Sequence, residues 1–178
     1  MLNLIKQILK ISLTTFFCLI VITLIIICFH DFYLYDPLNK METEYLFGEK
    51  IKLKKTCSKD LIGFSCRGEV LEIYKYGIKN DCRDLPLVAN KNYLSNYFKM
   101  QDPLFVDWNS SSFESNLIGD VSNSILGTES QSQLVTEFVE KLNDRDCLCC
   151  YLYDDDYSYC VFVLDKKRGS MYFLKCRI

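Results

Sequence analysis

Cysteine is the residue type with the most chemistry in this chain. Ten occur. Cys147, Cys149, Cys150, Cys160 and Cys176 crowd the closing stretch CLCCYLYDDDYSYCVFVLDKKRGSMYFLKCRI. Thiols can pair as disulfides, ligate a metal or act as nucleophiles, and spacing separates these uses. A zinc knuckle repeats C-x2-C, whereas this stretch reads C-x-C-C, whose neighbours point to opposite faces of a strand. No second cluster has ligand spacing, and the one histidine, His30, stands far away in the sequence. A redox dithiol calls for C-x-x-C at a helix start, and none is present. The expectation is no metal, no cofactor, and disulfides drawn from Cys57, Cys66, Cys82, Cys147, Cys149, Cys150, Cys160 and Cys176, an even set. A three-residue turn at Asp154–Asp156 would set Cys150 opposite Cys160, within bridging range. Cys176 falls near Cys160 across the next hairpin, but pairing Asp165 with Ser170 sets it opposite Tyr159 instead; one residue of slip changes the face.

Other catalytic signatures are missing. With His30 the sole histidine there is no Ser-His or Cys-His pair to assemble, and no G-x-S-x-G, Walker or G-x-G-x-x-G pattern occurs. No catalytic residue is nominated, and the chain reads as a non-enzyme. DDDYSY lacks the alternate acids, central glycine and distant glutamate of a calcium loop. Its plain reading is a solvated turn. Its functional reading is a protein-contact surface of Asp154, Asp155, Asp156, Tyr151, Tyr153 and Tyr157, in which carboxylates steer a basic partner and tyrosines supply contact area. Trp108, the only tryptophan, reads as a packing residue, and the sequon at Asn109 decides nothing.

These groups need elements to hold them. DCLCCYLY, YSYCVFVLD and SMYFLKCRI are three β-rich runs joined by DDD and KKRG, a three-strand antiparallel meander in which Gly169 supplies the left-handed position of a four-residue loop. GEVLEIYKYGI alternates and is bounded by glycines, so it reads as a strand. EYLFGEKIKLKK reads as another. PLVANKNYLSNYFKM places Leu87, Leu94, Tyr97 and Phe98 on one helical face with Pro86 in the first turn. SQSQLVTEFVEKLND has the 3.6-residue period, with Ser130 and Gln133 as a capping box. The stretch between, from Asp102 onward, is turn-rich and reads as irregular. The fold class expected is α+β: an antiparallel sheet with one or two helices packed on one face.

The N-terminus reads differently. Ile11 to Phe29 is a charge-free run spanning about 28 Å as a helix, close to the hydrocarbon thickness. The run lacks the small residues of a cleavage site, so residues 1–30 read as an uncleaved signal-anchor transmembrane helix. Lys6 and Lys10 precede it and Asp31 and Asp36 follow, which places the N-terminus in the cytoplasm. Residues 31–44 read as a juxtamembrane stalk and residues 45–178 as an extracytoplasmic domain, in a bacterial inner membrane with the domain periplasmic. The chain's net charge of −2 includes both lysines of the anchor. The remainder is therefore acidic and without a basic run, which argues against nucleic acid as a partner.

FSCRGEVLEIYKY and VFVLDKKRGSMYFL, with Trp108 between them, resemble the strand and closing hairpin of small membrane-anchored bacterial proteins, some of them similar to toxin-immunity proteins. The resemblance covers about a third of the domain and departs at GEV and in the many cysteines. It implies a small binding or inhibitor domain and carries over no functional residue. The function expected is a membrane-anchored protein-binding domain that neutralises a toxin. The alternatives are an assembly subunit of an envelope complex and an enzyme of unrecognised type.

Overall fold

A computed structural model describes residues 2–29, 36–62, 69–79, 82, 84–110, 132–154 and 158–177. The chain divides into two compact units, Met1–Lys40 and Met41–Ile178. The first contains helix α1 (Leu2–Phe29). Inside it the hydroxyls of Thr14 and Thr23 donate to the carbonyls of Lys10 and Leu19 at 2.9 and 2.8 Å. The expected membrane span is corrected here: among the described residues no helix is long and apolar enough to cross a membrane. Residues 30–35 of the expected anchor end and stalk lie outside the described residues.

The second unit is α+β. In chain order it contains α2 (Glu44–Phe47), β1 (Leu53–Asp60), β2 (Val70–Ile78), α3 (Lys91–Phe98), β3 (Leu104–Ser110), α4 (Gln133–Leu142), β4 (Leu148–Asp154), β5 (Ser158–Asp165) and β6 (Ser170–Arg177). The strands form one six-stranded antiparallel sheet in the order β1-β2-β6-β5-β4-β3. The meander β4-β5-β6 is present, and its last strand also pairs with β2, so the sheet closes around β6.

Composition explains that placement. From Tyr159 to Asp165 every residue of β5 is buried, and so is Ser170 to Leu174 of β6. Strands apolar on both parities belong at the centre of a sheet covered on both sides. The helices therefore lie on two faces, not on the one expected. On one face α4 buries Leu134, Val135, Phe138 and Leu142 against Leu71, Ile73, Val161, Val163, Tyr172 and Leu174. On the other, Phe162 and Phe173 stack at 4.8 Å, and Phe98 of α3 meets them at 6.0 and 5.5 Å. Burying one such ring contributes about 1.5–3 kcal/mol.

Local chemistry moves several boundaries. Tyr45 to Phe47 form a helical turn, not a strand; Gly48 ends it at φ 75°, where a side chain would be strained. The Thr43 hydroxyl donates to the Ile51 carbonyl and accepts from its N–H, both at 2.9 Å, which locks the bend. Helix α3 starts at Lys91, beyond Pro86, because the Asn90 side chain accepts from the Tyr93 N–H at 3.0 Å and Leu87 has φ 55°. Helix α4 is capped by Ser132, two residues after the expected Ser130, which lies outside the described residues. Strand β3 falls where irregular chain was expected.

Candidate functional site

The expected contact surface begins at Asp154, the last residue of β4. Its carboxylate accepts from the Gln101 N–H at 3.1 Å. The acid therefore anchors the bend before β3, where Lys99 and Asp102 both have positive φ. Asp102 is nearly fully exposed and meets Lys91 at 3.1 Å. Leu104 opens β3, opposite Tyr153 of β4, and is 59% exposed. Tyr153 is half-buried. Tyr151 is 6% exposed and packs with the α4 core, so it is a core residue and leaves the expected surface. Asp155, Asp156 and Tyr157 lie outside the described residues. What the structure assembles is a corner of Asp102, Leu104, Tyr153 and Asp154. Sequence reading missed its β3 half because PLFVDW is short and follows a run of turn residues.

Strand β3 changes phase along its length. Val106 faces the α4 core, opposite Tyr151. A bulge follows between Val106 and Asn109, and Trp108 stacks on Phe47 at 5.6 Å and donates from Nε1 to the Leu46 carbonyl. Strict alternation would put Val106 and Trp108 on one face; the inserted residue separates them.

The strand cysteines do not face one another. Cys149 opposes Val163, Cys150 opposes Phe162, Cys160 opposes Leu152 and Lys175, and Cys176 opposes Tyr159 and Leu71. Asp154 pairs with Ser158, so the β4–β5 register differs from the one that would align Cys150 with Cys160. Those two lie diagonally, about 7–8 Å apart, beyond easy bridging. The pairing of Asp165 with Ser170 holds, and with it Tyr159 opposite Cys176. Cys57, Cys147, Cys149, Cys150, Cys160 and Cys176 carry thiols, of which Cys57 alone is exposed. Cys82 is buried, and Cys66 lies outside the described residues. Burial pushes the Cys147 and Cys149 thiols up to about 12 and raises those of Cys150, Cys160 and Cys176 as well. Such thiols are poor nucleophiles and poor ligands. Among the described residues no three His, Cys, Asp or Glu gather as a metal ion would need.

Two ionic groups tie α4 to the sheet. Lys141 reaches Asp165 at 2.9 Å and Asp144 at 3.0 Å, and Asp165 also accepts from the Arg168 N–H at 2.9 Å. The Asp165 bond, then the Asp144 bond, raise Lys141. Burial works to raise Asp165, but Lys141 and the Arg168 N–H outweigh it and hold the carboxyl below its ordinary value. On the same face Glu137 bonds Lys75, which lies over the Tyr172 ring at 5.2 Å. The Lys75 bond lowers Glu137, and the same bond raises Lys75. Both groups are mutually satisfied and read as fasteners.

Comparison with family models, curated proteins and solved structures finds no match to this chain.

Proposed function

We propose that residues 41–178 form a protein-binding module without catalytic chemistry, and that its partner is a protein with a basic surface. The observation that carries this reading is the corner at the start of β3. Leu104 is 59% exposed there, opposite Tyr153 and close in sequence to Asp102 and joined through Gln101 to Asp154. An exposed apolar side chain with two acids in the adjoining bend and strand end suits an interface with an apolar centre and a polar rim. Covering Leu104 and Tyr153 supplies the affinity, and the carboxylates steer a cationic partner during approach.

The test places a photo-crosslinking residue at position 104 of the full chain in its native host, with the same residue at Lys59 on the opposite sheet edge as the control. Capture of a basic protein from position 104 alone is expected. Its rate of association should fall severalfold at low salt in Asp102→Asn/Asp154→Asn and converge with the parent at high salt. Equal capture from both positions, or salt-independent association, overturns the reading.

A further inference from the structure

The two edges of the sheet are built differently. β1 presents Lys54 and Lys59 exposed, with Lys55 half-buried beside them, and β2 next to it contains Lys75. Edge lysines are the usual guard against an incoming strand, because pairing would bury or crowd their charge. β3 and its neighbour β4 contain no lysine or arginine. They contain Asp107 and Asp154, with Asp102 two residues ahead of β3. Among the described residues β3 pairs with β4 alone, so no described strand pairs along its other side; the Ala89 N–H reaches β3 at Asp107, beyond Leu104–Val106. Leu104 to Val106 pair regularly with Tyr153 to Tyr151 before the bulge, so this edge offers a short straight template.

We infer that β3 accepts an added strand: an extended partner segment, alternating lysine or arginine with apolar residues, pairs along the outer edge of Leu104–Val106. This rests on the protein-binding reading and names its mode. Main-chain hydrogen bonds supply the pairing, and the two side-chain parities of the added strand meet different surroundings. Asp102, Asp107 and Asp154 make this end of the sheet acidic and favour a basic strand, even though Asp102 also meets Lys91, Asp107 accepts from the Ala89 and Trp108 N–H groups and Asp154 accepts from the Gln101 N–H; the apolar residues of the added strand lie against Leu104. Residues 111–131 of the chain itself contain no lysine or arginine and three acids, Glu114, Asp120 and Glu129, so they are the wrong occupant by charge. The bulge after Val106 limits the template, so a single added strand binds weakly and draws the rest of its affinity from flanking contacts.

The experiment titrates the full chain with a short synthetic peptide alternating lysine and valine, followed by backbone amide NMR and hydrogen exchange. Saturable shifts and added protection centred on Leu104–Val106 are expected, with none on Leu53–Asp60. Two further peptides carry N-methyl groups on alternate residues, one in each phase. They keep the charge and lose one set of backbone donors, so at least one should bind tenfold or more weakly. Leu104→Lys, at an exposed position where the fold tolerates the change, should weaken the parent peptide to a similar degree. If both methylated peptides bind like the parent, the corner attracts charge without strand addition: the inference falls and the protein-binding reading stands. If no lysine-valine peptide binds while position 104 still captures a basic protein, the inference again falls alone. Absence of both signals removes the two together. Salt-sensitive oligomers of the chain without peptide, abolished by Leu104→Lys, would assign the edge to a second copy and overturn this occupant.

Discussion

Lys141 pairs with two carboxylates at once. Its ammonium is shared between Asp165, buried at the end of β5, and Asp144. Lys141→Met leaves the Asp165 carboxylate buried with only main-chain and distant Arg168 compensation. We expect a loss of about 3 kcal/mol, read as a lower urea midpoint at neutral pH. The pH dependence has a definite sign. Asp165 and Glu137 are held below their ordinary values, so their contribution is complete above the unfolded carboxylate range, about 4, and is lost as pH falls through the folded values. Lys141 and Lys75 are raised, so theirs is complete below the ordinary lysine value and is lost as pH rises through the folded ones. Urea midpoints between pH 2 and 8 should therefore fall toward acid, and Asp165→Asn should start lower at pH 7 and fall less steeply. The thiols give an independent check. In the native protein Cys57 should alkylate promptly, while Cys149, Cys150 and Cys160 should react only on unfolding, as mass spectrometry of time-quenched samples would show. Prompt labelling of those three would mean that the strands are not packed as described.

Strands and helices set by strong periodicity were legible in the sequence; elements set by a single local contact were not. Val70–Ile78 alternates, the strands of the closing meander carry apolar runs of four to six residues, and Leu134, Val135, Phe138 and Leu142 repeat at the helical period. Their existence follows from burial, which pattern reports directly. The turn at Glu44–Phe47 depends on Gly48 and on the Thr43 clasp to Ile51, and β3 depends on a bulge and on Trp108 reaching Leu46 across the fold. Contacts at such separation leave no period to read. The same limit hid the site. Asp154 was visible as an acid, but its bond to Gln101 and the exposed Leu104 beside it exist only once β3 is paired. Trp108→Phe tests this element. It keeps the stack on Phe47 and deletes the bond to the Leu46 carbonyl, at an expected cost of about 1 kcal/mol in chemical denaturation. A loss several times larger would show that the bulge itself needs the indole.

At the scale of the whole molecule, the strand that is last in sequence is central in space. β6 lies between β2 and β5 and is the only described strand that joins the β1–β2 hairpin to the β3–β4–β5 side of the sheet. Until β6 docks, these are two half-sheets without a common ladder, and many contacts are distant in sequence, which slows folding. It also makes β6 a detachable keystone. The loop 166–169 before it is a surface turn closed by Gly169 at φ 62°. Cleaving the chain there should yield a large fragment with an empty slot and a short peptide that begins at Ser170, contains β6 and fills the slot from both sides. Mixed in solution, the two should regain the native circular dichroism and cooperative melting that neither has alone. A peptide with Phe173→Asp should fail, because that ring enters the stack with Phe162. The sheet would then serve as a two-piece complementation reporter, silent until its missing strand is supplied.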